Sequence, residues 1–226
     1  MRGQRDSSTD EGLRFLRTLA PLVGSGDICR AEETVRRYWP QGRLLEFLSH
    51  SDSRVGQLAA MALGCVGDCG AVGSLVEQLR NPNPEMAQTA EHALWSIWLR
   101  AGSCKSLRYL KCGCDHLKHG NQETSMEKFS MAIGEDPDFA EAFNQRAIAY
   151  YLSGDYEKSI ADCHQALARM PSHFGAIAGM GHCYAQLDKL HQARHCYQAA
   201  LRLHPGMDGI VESLQSVERL LEIRKT

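Results

Sequence analysis

From Ser106 onward, apolar and small positions recur every 34 residues. Tyr109, Phe143 and Ile177 fall in one register, Gly113, Ala147 and Gly181 in the next, and His116, Tyr150 and Tyr184 in a third. Each unit continues with Ser125, Ser159 and Ala193, then Phe129, Cys163 and Tyr197, then Ala132, Ala166 and Ala200, and closes on Pro137, Pro171 or Pro205. The pattern predicts two helices per unit. The first carries an aromatic–small–aromatic order and the second a small–aromatic–small order, so the small residues let the pair approach and the large ones fill the gaps. Gly120-Asn121, Gly154-Asp155 and Leu187-Asp188 mark the turns, the first two with a helix-stopping glycine. Proline cannot continue a helix and opens the next unit. Past Pro205, Ile210, Leu214, Val217 and Leu221 share one helical face, which predicts a helix over residues 208–226 capping the end of the array.

The N-terminal half repeats at 31 residues. Leu48 matches Leu79, Ala59 matches Ala90, Ala62 matches Ala93 and Leu63 matches Leu94. Helices are predicted from Arg54 to Val66 and from Gly70 to Arg80, with Gly67-Asp68 as the turn between them. Asn81-Pro82-Asn83-Pro84 is a turn whose last proline is placed to open the following helix. Between Glu11 and Trp39 the apolar spacing (Leu13, Leu16, Leu19, Ala20, then Ile28, Ala31, Val35) is helical but fits the repeat poorly, as a degenerate capping unit would. Residues 1–12 are polar and charged and are expected to form a disordered tail. Trp95 and Trp98 stand close to the short connection from Ala101 to Lys105 and are expected to bury their rings where the two arrays meet.

The 34-residue registers resemble the tetratricopeptide family over three units, residues 106–139, 140–173 and 174–207. The stretch Asp52 to Leu79, through Ala59-Ala60, Ala62-Leu63-Gly64, Gly67-Asp68, Ala71-Val72 and Leu75, resembles the short HEAT-like repeats also found in phycobilisome lyase subunits. The fold class these resemblances imply is all-α: an α-solenoid, a superhelix of antiparallel helix pairs. Its HEAT-like array (residues 13–103) continues into the tetratricopeptide repeats and their cap (residues 104–226).

Composition narrows the function classes. The 25 Lys and Arg against 27 Asp and Glu leave a net charge of -2. Binding to nucleic acid draws its affinity from neutralised phosphates and needs a basic surface, so no nucleic-acid partner is expected. No apolar run reaches the length of a membrane span and the N-terminus lacks a secretory apolar segment, so no membrane partner is expected and the cytoplasm is the expected location. The nine cysteines are odd in number and irregular in spacing, and several fall at helical core positions, which reads as reduced thiols rather than a disulfide framework. A monomer is expected.

Several constellations invite chemistry. Cys112, Cys114, His116 and His119 have zinc-ligating side chains, but on one helix Cys112 and His116 share a face that Cys114 does not, and both occupy packing registers. Cys65 and Cys69 flank a turn without further ligands. The adjacent pairs His182-Cys183 and His195-Cys196 diverge by about 100° around a helix and form no nucleophile–base contact. Gly175, Gly179 and Gly181 lie inside a helix with no preceding strand, which excludes a phosphate loop; Gly181 is explained by packing, while Gly175 and Gly179 face the inner side. No catalytic residue, metal site or cofactor is expected, and the chain is not expected to be an enzyme.

The resemblance implies that the first helix of each tetratricopeptide unit lines a concave groove. The candidate peptide-binding residues are Leu110, Lys111, Cys114 and Leu117 in the first unit, Asn144, Gln145, Ile148 and Tyr151 (beside Glu141) in the second, and Ala178 and His182 (beside Gly175 and Gly179) in the third. Family members that hold acidic chaperone tails use Lys, Asn and Arg at matching places, where this chain has Leu110, Cys114, Gln145, Gly175 and Gly179. Without cations a free carboxylate has little to pair with. The lining suits a peptide with apolar anchors. The function expected is a non-enzymatic scaffold or adaptor for a protein or peptide partner. The rival is a bilin-lyase-like enzyme or chromophore or assembly chaperone, suggested by the N-terminal repeats alone.

Overall fold

The computed structural model describes residues 3–224, with side chains described from Asp10 onward. All regular structure among these residues is helical, and none of their helices is long and apolar enough to cross a membrane. Two compact units divide at Ile97 and Trp98.

The N-terminal unit contains α1 (Gly3–Gly24), α2 (Ile28–Tyr38), α3 (Gln41–Phe47), α4 (Ser53–Val66), a single 3-10 turn (Cys69–Ala71) running into α5 (Val72–Gln78), and most of α6 (Pro84–Arg100). Its helix starts are set by short acidic or amide side chains that take up otherwise unpaired N–H groups. Asp27 accepts from Arg30 N, Asp52 from Arg54 N, Asp68 from Gly70 N and Asn83 from Glu85 N. Pro84 opens α6, where its missing N–H costs nothing. The 31-residue positions are core. Leu48, Leu79, Ala59, Ala90, Ala62, Ala93, Leu63 and Leu94 are all buried. A Cβ added at Gly64 would come within 3.0 Å of the Ala93 backbone, so this crossing tolerates only small residues.

The expected disordered tail is corrected from Gly3 onward, because α1 begins there; Met1 and Arg2 lie outside the described residues. The physical reason lies further along α1. Phe15 and Leu19 are buried, Phe15 packs on Trp39 and Phe47 with ring centroids 5.1 Å apart in each case, and Glu11 accepts from Arg43 Nε at 2.9 Å. A helix nucleated by packing extends at the gain of one hydrogen bond per added residue, even through polar sequence.

The C-terminal unit contains α7 (Cys104–Lys118), α8 (Gln122–Glu135), α9 (Ala140–Leu152), α10 (Tyr156–Arg169), α11 (Phe174–Gln186), α12 (Leu190–Leu203) and α13 (Asp208–Ile223). These are three antiparallel pairs and a final helix that covers α12 with Ile210, Val217 and Leu221. The turns between paired helices need a left-handed residue. Gly120 and Gly154 have φ of 78° and 81°, and the third turn uses Asp188 at φ 59°, held by Arg224 at 2.6 Å. Close approach inside each pair rests on matched sizes. A Cβ at Gly113 would lie 2.5 Å from the Phe129 ring, and one at Gly181 would lie 2.6 Å from the Tyr197 ring. The second unit reaches the same fit with Ala147 and the smaller Cys163, joined in one core cluster, and Ser159 donates to Ala147 O at 2.7 Å.

Candidate binding groove

Arg146 on α9 ties together its own pair partner α10 and helix α8 of the preceding unit. Arg146 donates to both oxygens of Asp162 at 2.7 and 2.8 Å and to Ser130 Oγ at 2.9 Å. Arg169 lies 4.2 Å over the Phe143 ring. The first helices of successive units also touch directly, α7 with α9 and α9 with α11. These three helices therefore form the inner wall.

On that wall the structure opens a cleft of about 100 Å³ between α9 and α11, lined by Asn144, Ile148, Tyr151, Gly175, Gly179 and His182, with Ala147, Ser159 and Cys163 at its base. Ile148 is 39% exposed and Leu152, one turn further along α9, is 54% exposed. Tyr151 sits between rings, with centroids 5.6 Å from Tyr156 and 6.3 Å from His182. His182 in turn meets the Tyr197 hydroxyl at 2.9 Å through Nδ1. Burial lowers the His182 pKa, pushes the Cys163 thiol up to about 12 and pushes Tyr197 to about 12. All three are neutral at neutral pH, so the cleft is apolar and uncharged, with a few hydroxyl, amide and imidazole groups at its edges.

The sequence-derived candidates divide. Asn144, Ile148, Tyr151 and His182 meet at this cleft. Leu110 and Ala178 are 4% and 5% exposed and pack in core clusters, Leu110 with Phe129 and Phe139 and Ala178 with Leu190 and Tyr197. They support the wall from beneath and are corrected from lining residues to core. Cys114 and Leu117 are half-buried against the Leu110 cluster, and burial pushes the Cys114 thiol up to about 11. Lys111 borders a separate open depression with Arg108, Cys112, Asp115, His116 and His119. Cys112 and His116 were expected in the core and are instead half-buried at this depression. Ser159 and Cys163 were missed as lining because they belong to the second helix of their pair; only the small size of Gly175 and Gly179 hinted that this helix is reached from the groove.

Toward the first turns of α9 and α11 the wall is closed. His173 caps α11, its Nδ1 accepting from Ala176 N at 3.2 Å, which leaves Nε2–H to donate to Glu141 at 2.8 Å. Gln145 donates to the same carboxylate at 2.7 Å, and Asn144 faces it at 3.3 Å. Trp98 stacks on His173 with centroids 4.3 Å apart and planes 16° apart, and lies tilted at 58° to Phe174 with centroids 5.1 Å apart. Trp98 is 2% exposed, whereas Trp95, expected to be buried beside it, is half-buried.

The nine cysteines form no disulfide, and no group of three His, Cys, Asp or Glu side chains placed to hold a metal ion is found among the described residues. Cys65 and Cys69 are exposed, while Cys163, Cys183 and Cys196 are buried, with Cys183 donating to Ser159 at 3.1 Å.

Residues 140–173 and 175–206 match the tetratricopeptide repeat family. The small glutamine-rich tetratricopeptide repeat-containing protein of Dictyostelium discoideum is 32% identical over 123 residues, 54% of this chain and 37% of the relative. RNA polymerase II-associated protein 3 of Rattus norvegicus is 28% identical over 123 residues, 54% of this chain and 19% of the relative. The first of the curated relatives, a TPR repeat-containing protein of Rhizobium etli, is matched over 50% of its length, so the chain spans half or less of these three proteins. Among solved structures, the TPR domain of Sgt2 from Aspergillus fumigatus has a TM-score of 0.53 at 19% identity, covering 55% of this chain and 84% of that one. The first TPR of Spaghetti (RPAP3), bound to HSP90 peptide SRMEEVD, has a TM-score of 0.52 at 24% identity, covering 52% of this chain and 94% of that one. The C-terminal half of this chain carries tetratricopeptide repeats, folded as an α-solenoid.

Proposed function

We propose that the chain is a non-enzymatic adaptor that holds a short segment of a partner protein in the groove of its tetratricopeptide half, gripping it by an apolar side chain. The observation that carries this reading is the uncharged cleft between α9 and α11, with Ile148 and Leu152 exposed beside Tyr151. Binding energy concentrates in a few apolar and aromatic groups that can be desolvated together, and this wall has them in one place. Leu110, Cys114, Gln145, Gly175 and Gly179 put no cation where an acidic tail would need one. An acidic peptide such as the one in the RPAP3 complex is therefore not the ligand chemistry proposed.

The groove residues in this reading are Asn144, Ile148, Tyr151 and His182, with Leu117 and Cys114 extending the wall along α7 and Gln145 at its closed end. The N-terminal unit is read as HEAT-like; the burial of its 31-residue positions and the tight Gly64–Ala93 crossing support that. A cytoplasmic location is supported by nine cysteines outside any disulfide, three of them buried. The test is to select phage-displayed random dodecapeptides on the full chain and titrate the enriched peptides against the wild type and Ile148→Asp. Enriched peptides with an aliphatic or aromatic anchor, weakened about tenfold or more by Ile148→Asp, are expected. Enrichment of acidic peptides, or of peptides indifferent to Ile148, would count against the reading.

A further inference from the structure

A residue from outside the repeats sits against the start of the third unit's first helix. Trp98 precedes the first tetratricopeptide helix, yet its ring lies flat on His173 and against Phe174, at the start of the third unit's first helix. Beneath it, Gln145 and His173 both turn to the Glu141 carboxylate. These are inner-wall positions of α9 and α11 that would otherwise meet a ligand, and here their polar atoms are engaged within the chain.

We propose that Trp98 is a fixed stop at this end of the groove, so that the chain itself sets how far a partner segment can extend. This rests on the groove reading above. A flat aromatic stack of this kind contributes beyond its buried area. A ligand entering this end would have to displace the indole and break the Glu141–His173 hydrogen bond. The accessible wall then runs from Asn144 to Leu152. At 1.5 Å per residue that is a rise of about 12 Å, which an extended segment laid along α9 covers with roughly three or four residues at about 3.3 Å each. The groove is thus specified for a short apolar motif rather than a long extended tail.

The experiment pans random dodecapeptides displayed on phage against the full wild-type chain and against Trp98→Ala, with circular dichroism on both. Enriched peptides are then titrated on both proteins and on Tyr151→Ala. The wild type is expected to select one compact apolar motif, and Trp98→Ala to select peptides with a second, aromatic anchor that bind it at least about tenfold more tightly than they bind the wild type. A second measurement needs no Trp98 variant: at one of its two ends the wild-type motif should take added residues with less than about threefold change in affinity on the wild-type chain. If Trp98→Ala selects the same motif with the same affinity, or if lengthening at each end gains tenfold on the wild type, the stop is overturned while the groove stands. If no enriched peptide depends on Tyr151, the groove reading falls and the stop with it.

Discussion

Replacing Gly181 by alanine should destabilise the protein, although alanine is the better helix former. In a helix interior the exchange favours alanine by about 1 kcal/mol. Against that, the new methyl would lie 2.6 and 2.7 Å from two ring carbons of Tyr197 and 3.3 Å from Cys196 Cβ. The ring has little room to retreat, being buried and tied through its hydroxyl to His182 at 2.9 Å. Overpacking a filled core costs about 1–3 kcal/mol, so the net loss is roughly 1 kcal/mol, with about 2 as the upper bound. The second unit shows how the clash is relieved, since Ala147 and Cys163 occupy the same two registers. Tyr197→Cys alone should cost about 3 kcal/mol through the cavity it leaves. Combined with Gly181→Ala it should cost less than the sum, with a favourable coupling of about 1–2 kcal/mol. Urea unfolding followed by circular dichroism measures all four corners of the cycle. A Gly181→Ala variant stabilised by the about 1 kcal/mol that helix propensity alone would give, or additive losses in the double variant, would refute the size-matching argument.

Three further outcomes follow from the same structure. Asp162→Ala strands the half-buried Arg146 and should cost about 2 kcal/mol, whereas Arg146→Met with Asp162→Ala should recover part of the loss, as read by chemical denaturation. Burial holds Cys163 and Tyr197 protonated, each with a pKa of about 12, so the folded state binds these protons more tightly than the unfolded chain. Their contribution to stability is complete below the ordinary thiol value near 9 and is lost as pH rises toward 12. Thermal unfolding from pH 8 to about 11 should show that decline, and Cys163→Ala should flatten it. Under native conditions iodoacetamide should label the exposed Cys29, Cys65, Cys69 and Cys104 and spare Cys163, Cys183 and Cys196 until the chain is unfolded.

The repeat half was legible because its signals are local and recur three times. Gly113 and Gly181 opposite Phe129 and Tyr197 announce close helix crossings, and Gly120 and Gly154 announce the turns. Asp188 occupies the matching left-handed position without the glycine signal, and its partner Arg224 lies too far along the chain for spacing to reveal. The groove was legible only in part. Register separates an inner face from an outer one, but it does not resolve lining from support at neighbouring angles, so Leu110 and Ala178 went to the wrong side of that line. Trp98 against His173 is a contact across 75 positions with no periodic signature. The start of α1 was hidden for another reason: polar composition argues for disorder, while Phe15 and Leu19 supply the nucleus from outside that segment.

Tyr150 and Tyr151 are adjacent on α9 and separate groove from scaffold. Tyr150 lies between the cations of Arg146 and Lys158, at 5.9 and 5.5 Å from its ring, while Tyr151 faces the cleft with His182. The deciding measurement is the affinity of a peptide selected on the wild-type chain for Tyr151→Ala and Tyr150→Ala, taken with the melting temperature of each. Tyr151→Ala should weaken the peptide about tenfold or more and leave the melting temperature within a few degrees of the wild type, whereas Tyr150→Ala should lower the melting temperature and bind normally once folded. If Tyr151→Ala binds the peptide as the wild type does, the cleft between α9 and α11 is not the binding site.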